Sequence, residues 1–113
     1  MQFHKFFEEQ YDALAGMIDE VAERIRMIGH YAIGTVAEVR SHATLNPSGP
    51  AGASEDVMLH DLRDCHEAII RRVRTDIPRV NDEWNDVGTA DFLTGLMEAH
   101  EKMAWMLRAH LRV

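Results

Sequence analysis

The residues best suited to chemistry lie in the first quarter of the chain. His4, Glu8, Asp19 and Glu23 combine one imidazole with three carboxylates. That donor set suits ferrous iron, because it joins a nitrogen ligand to hard oxygen ligands. The segment that carries them repeats apolar residues in steps of three and four: Phe3, Phe6, Phe7, Tyr11, Leu14, Met17, Ile18, Val21, Ile25 and Ile28. This spacing predicts one amphipathic helix from about Gln2 to Gly29. With His4 set at 0° on that helix, Glu8 falls near 40°, Asp19 near 60° and Glu23 near 100°, while the apolar residues occupy about 200° to 340°. The four donors form one stripe turned away from the apolar face.

One helix cannot close this stripe around a single metal, since His4 and Asp19 lie roughly 22 Å apart along the axis. A second copy running antiparallel can. The numbers of His4 and Glu23 have the same sum as those of Glu8 and Asp19, and residues that face each other across a two-fold antiparallel helix pair share a constant sum. His4 and Glu8 of one subunit would then meet Glu23 and Asp19 of the other. The axis would cross between Ala13 and Leu14, and symmetry would make two equal sites. Ala13, Ala15 and Gly16 would let the helices approach closely. The same four residues also suit an ordinary solvated face, with Glu23 in weak surface pairs with Arg24 and Arg26.

The remaining elements must position this stripe. A short helix is expected over Thr35 to His42, with Thr35 as its cap. Asn46 to Ser54 is rich in Gly, Pro and Ser and reads as a loop, so that 30–54 forms a crossover. A second long helix is expected over about 55–85, with Met58, Leu59, Leu62, Cys65, Ile69, Ile70, Val73, Ile77, Val80 and Trp84 on its apolar stripe. Pro78 predicts a kink or break near Arg74 to Ile77. Asp86 to Gly88 should close this helix. Thr89 should cap a third over about 90–112, with Asp91 in its first turn. His100 falls on an apolar face and reads as a hydrogen-bonded core residue. Trp84 and Trp105 read as core or interface anchors, and Cys65 as a small buried hydrophobe. There is no strand pattern and no repeat. The fold class is all-α, one domain over 1–113.

Composition narrows the function further. The 113 residues carry 19 Asp and Glu against 12 Lys and Arg, a net charge of −7. Such a chain attracts cations and argues against direct DNA binding. A single cysteine excludes an internal disulfide and fits a reducing compartment. No apolar run approaches a membrane span and no signal peptide is evident, so a soluble cytoplasmic protein is expected.

Two stretches carry a resemblance. Phe3, His4 and Glu8, followed by Asp19, Ala22, Glu23, Arg24, Ile25 and Gly29, resemble the second helix of the Dps family (miniferritins). There a His is followed by an acidic residue four later, then by D-x-x-A-E-R-I. The run from Gly88 through Asp91, and then from Glu98 to Leu111, resembles that family's last helix. The likeness covers essentially the whole chain. It implies a ferritin-like helix bundle assembled as a dodecamer. It also implies a diiron ferroxidase site at the two-fold interface that oxidises Fe2+ with hydrogen peroxide or oxygen, and storage of ferric mineral against oxidative stress. The ligands would be His4 and Glu8 of one subunit with Asp19 and Glu23 of its mate. Glu8 stands where Asp is more usual. The family carries a further helix, with another His ligand, ahead of the region matched here; three helices without it would expose an apolar groove. Asp86 and Asp91, in the acidic cluster with Asp82 and Glu83, are candidates for an iron-entry pore, with Asp91 equally a helix-cap residue. Glu9 is a candidate for mineral nucleation, and equally a solvated charge. The rival reading is a non-enzymatic helical protein that oligomerises or binds a partner helix.

Overall fold

The computed structural model describes residues 3–45 and 54–111. In order, these form α1 (Phe3–Met27), α2 (Val36–His42), α3 (Glu55–Pro78), a π-helical turn (Arg79–Glu83) and α4 (Val87–His110). Three long helices and a short fourth are what the hydrophobic periodicity predicts. The Asn46–Ser54 loop lies outside the described residues except for Ser54. The chain divides into two compact units, Met1–Asn46 and Pro47–Val113.

In the first unit, α1 ends where Gly29 adopts φ +90°, a conformation that costs a residue with a Cβ. His30 N–H donates to Ile25 O and Gly29 N–H to Arg26 O, each at 3.0 Å. These bonds satisfy carbonyls that the helix end would otherwise leave unpaired. Thr35 caps α2 as expected: its hydroxyl accepts from Glu38 N–H at 3.1 Å, and Glu38 Oε1 accepts from Thr35 N–H at 3.1 Å. This reciprocal box explains how seven residues hold a helix. Bonds from Thr35, from Gly34 N–H and from the Tyr31 hydroxyl hold the Glu38 carboxyl below its ordinary range.

The buried side of α1 is narrower than the apolar pattern suggests. Phe6 and Gln10 are buried, whereas Tyr11 and Ile18 are 72% and 68% exposed. Helix geometry separates the two pairs: Phe6 and Gln10 lie one turn apart on one edge of the apolar arc, and Tyr11 and Ile18, two turns apart, lie on the opposite edge. The latter two therefore belong to the flank beside His4.

In the second unit, Ser54 caps α3, its hydroxyl accepting from Val57 N–H at 3.3 Å. The core is built from Leu59, Ile70, Val73 and Val80 together with Ala90, Met103, Ala104, Leu107 and Leu111. Ile70, Val73 and Val80 on one side and Met103, Leu107 and Leu111 on the other lie at spacings of three, four and seven, and the two helices pack along one seam. Pro78 does not break the helix ahead of it. The α-helix runs to Pro78, and the disturbance falls after it, in a π-turn where Trp84 N–H donates to Arg79 O at 3.1 Å. The interruption expected at Pro78 is thus present, but it falls after the proline, so the α-helical part of the expected 55–85 segment ends at Pro78. Closure comes at Asn85, with φ 53°, a left-handed position that Asn tolerates.

The cap of α4 is also corrected. Asp86 is the N-cap, and Val87 and Gly88 already belong to the helix. The Asp86 carboxylate accepts from Thr89 N–H at 3.1 Å and from the Thr89 hydroxyl at 2.6 Å. Thr89 thus serves the cap and does not form it. Replacing Asp86 by alanine should lower the melting temperature by about 4–8 °C, since such caps contribute about 1 kcal/mol. Asp86→Asn keeps the acceptor and should retain most of that stability in the same melt.

Trp84 and Trp105 are 58% and 60% exposed, so neither is a core anchor within the described chain. Trp84 is covered by the Arg79 guanidinium, 5.2 Å from its ring. Cys65 is half-buried. Burial, with Asp61 and Asp64 nearby, raises its thiol above the ordinary range and keeps it in the inert protonated form.

Candidate metal-binding face and a buried histidine pair

His4, Glu8, Asp19 and Glu23 all lie on α1, and all four side chains are exposed. Among the described residues none of the four uses its side chain in a hydrogen bond or ion pair. The alternative use of Glu23, as a partner for Arg26, is therefore not made. No cluster of three or more His, Cys, Asp or Glu able to hold a metal forms among the described residues. Helix geometry explains this: His4 with Glu8 and Asp19 with Glu23 are each one turn apart, but the two pairs are separated by three turns. A lone α1 thus offers two half-sites, each with two donors on one face.

The other candidates fare differently. Glu9 is exposed on α1 beside the half-site of His4 and Glu8. Asp91 is exposed on α4. Asp86 is committed to its cap, Glu83 pairs with Arg79 at 3.6 Å, and Asp82 accepts from Asn81 Nδ2 at 2.8 Å. The acidic cluster is mostly engaged with its own neighbours.

The pairing of His66 with His100 was not anticipated. The two rings are 1% and 4% exposed, and their Nδ1 atoms lie 2.9 Å apart. His100 is the hydrogen-bonded core residue that its position suggested, and His66 is its partner across the α3–α4 seam. The signal was present in the spacing. His66 lies four before Ile70 and seven before Val73, and His100 lies three before Met103 and seven before Leu107. Both therefore occupy seam positions; only the packing of the two helices brings them level.

The comparisons with known proteins agree with this architecture. A family profile described as a ferritin-like domain matches residues 1–113. An uncharacterized low temperature-induced protein of Nostoc sp. is 44% identical over 96% of this chain, which spans 60% of that protein's length. The DNA protection during starvation protein of Brevibacillus brevis is 35% identical over 96% of this chain and 71% of its own length. The X-ray structure of Dps from Thermosynechococcus elongatus superposes with a TM-score of 0.88 at 34% identity, covering 97% of this chain and 69% of the other. The fold is thus that of a ferritin-like helical bundle, and within that class the chain belongs to the Dps family. No described helix is long and apolar enough to cross a membrane.

Proposed function

We propose that the protein is an iron-sequestering miniferritin that oxidises Fe2+ at sites shared between two copies of α1. The observation that carries this reading is the uncommitted stripe itself. Two half-sites on one helix, with donors suited to ferrous iron, become two complete sites when a second copy runs antiparallel. His4 and Glu8 of one copy would be joined by Asp19 and Glu23 of the other. Tyr11 and Ile18, exposed on the flank next to His4, supply apolar area for that contact. Under the same pairing Tyr11 faces Gly16, and Gly16 has open space where a side chain would stand.

Hard carboxylate oxygens stabilise the ferric over the ferrous charge, which favours loss of the electron. The balance is closed by hydrogen peroxide. Two ferrous ions, one peroxide and two waters give two ferric oxyhydroxide units and four protons. Peroxide is thereby reduced by two electrons together, and single-electron radical chemistry is avoided. The acidic surface draws Fe2+ toward the protein, and Asp91 and Glu9 are exposed carboxylates available for entry and nucleation.

The test is to add Fe2+ without oxygen and then titrate peroxide, following the ferric product by absorbance. The expected result is oxidation well above the buffer rate, with two iron atoms consumed per peroxide. A rate equal to buffer overturns the reading. The native mass tests the assembly: twelve copies of the 12.9 kDa chain give roughly 155 kDa for a closed shell. A monomer in light scattering, with no mass of a dimer or more at any concentration, rules out sites that need two copies.

A further inference from the structure

We propose that His66 and His100 form an acid-sensitive fastener, which holds α3 to α4 while both rings are neutral and releases the pair when protons enter. The geometry sets the protonation states. At 2.9 Å the two Nδ1 atoms share one hydrogen. One ring must carry its proton on Nδ1 and donate. The other must carry its proton on Nε2 and accept through the Nδ1 lone pair. A first added proton goes to Nε2 of the donor ring. It keeps the bond but places a positive charge in a site that is almost fully buried. A second added proton must occupy the accepting Nδ1. It removes the bond and sets two like charges against each other.

Burial opposes such charge. Burial, followed by the neighbouring His100, lowers His66 from 6.5 to about 4, and burial also lowers His100. No carboxylate contributes to either shift. Along the seam the rings are flanked by apolar Leu59, Ile70, Val73, Met103, Ala104 and Leu107. The charged residues nearest to the pair in sequence are Arg63, Asp64 and Glu67 on α3 and Glu98, Glu101 and Lys102 on α4; four charged groups join the two helices, Glu67 and Arg74 from α3 with Glu101 and Arg108 from α4. They are tied to each other in two bridges: Arg108 with Glu67 at 3.5 Å and Arg74 with Glu101 at 3.3 Å. Both acids are thus already neutralised by arginines, and Arg63 on α3 is held by Asp64 at 3.1 Å.

The sign follows. The folded pair binds protons less readily than free histidine. The stability it contributes is complete above the unfolded value near 6.5 and is lost as pH falls from there toward 4. The experiment is a set of thermal melts of the full chain between pH 7.5 and 4, alongside NMR titration of the imidazole carbons. The expected result is a melting temperature that drops steeply below pH 6.5, with two histidines titrating below the free value. In the double variant His66→Leu with His100→Phe, which closes the seam with apolar groups, that part of the drop should vanish. A variant with the parent's pH slope overturns the proposal. Should the variant not fold, the NMR titration decides alone: two rings that take up protons at lower pH than the rest support the fastener, and rings that all titrate together overturn it.

Discussion

Asp19→Ala and His4→Ala should each lower peroxide-driven ferrous oxidation by about a hundredfold or more, since each removes a ligand from both sites of a symmetric pair. The effect of combining them distinguishes a shared site from one within a single subunit. When the two variants are co-expressed, half of the dimers are mixed. In a mixed dimer one site loses both His4 and Asp19, while the other keeps every ligand. About a quarter of the parent activity should therefore return from two inactive proteins, by the symmetry of an isologous contact. The measurement is the initial rate of ferric product formation in the purified mixture, beside each variant alone. No recovery, with dimers present by native mass, would sink the intersubunit arrangement and leave the rival reading of a non-enzymatic helical protein. Full activity in either single variant would remove that residue from the site.

The second large effect concerns stability. His66→Ala should destabilise the fold by about 3 kcal/mol, because it leaves His100 with an unsatisfied buried nitrogen and opens a cavity at the α3–α4 seam. In a domain of this size that corresponds to a fall in melting temperature of more than about 10 °C. The cause can be separated from general loss of packing by His66→Gln, whose amide can both donate and accept; it should recover part of the loss. A melt of His66→Ala within about 2 °C of the parent would show that the pair contributes little. Both measurements should be made at pH 7.5, where both rings are neutral in the parent.

Much of this architecture was legible in the order of residues. The steps of three and four defined three long helices, because an amphipathic helix must bury one stripe. Thr35 marked a helix start through a short hydroxyl side chain that reaches the backbone locally. The candidate ligand stripe was legible for the same reason: its angles depend only on the helical repeat, and its pairing only on two-fold symmetry. His100 could be placed in the core from its position among Met103 and Leu107.

Other features depended on contacts between residues distant in sequence, or on local choices between near-equal backbone states. Pro78 forbids one hydrogen bond, but the residue order does not say whether the chain breaks before it or widens after it, as it does in the turn that holds the buried Val80. Asp86 and Thr89 are both good caps; the cap went to the one whose carboxylate could take two bonds at once. Tyr11 and Ile18 matched the apolar period, yet the buried arc is centred on Phe6 and Gln10, and the period alone does not set its width. The partnership of His66 with His100 required the register of α3 against α4, which no pattern within either helix contains. Sequence alone therefore determined the family, the helices and the stripe of candidate donors, since each follows from local periodicity or motif. Tertiary structure alone decided which polar residues are spent inside the fold, because that depends on which side chains the packing makes neighbours.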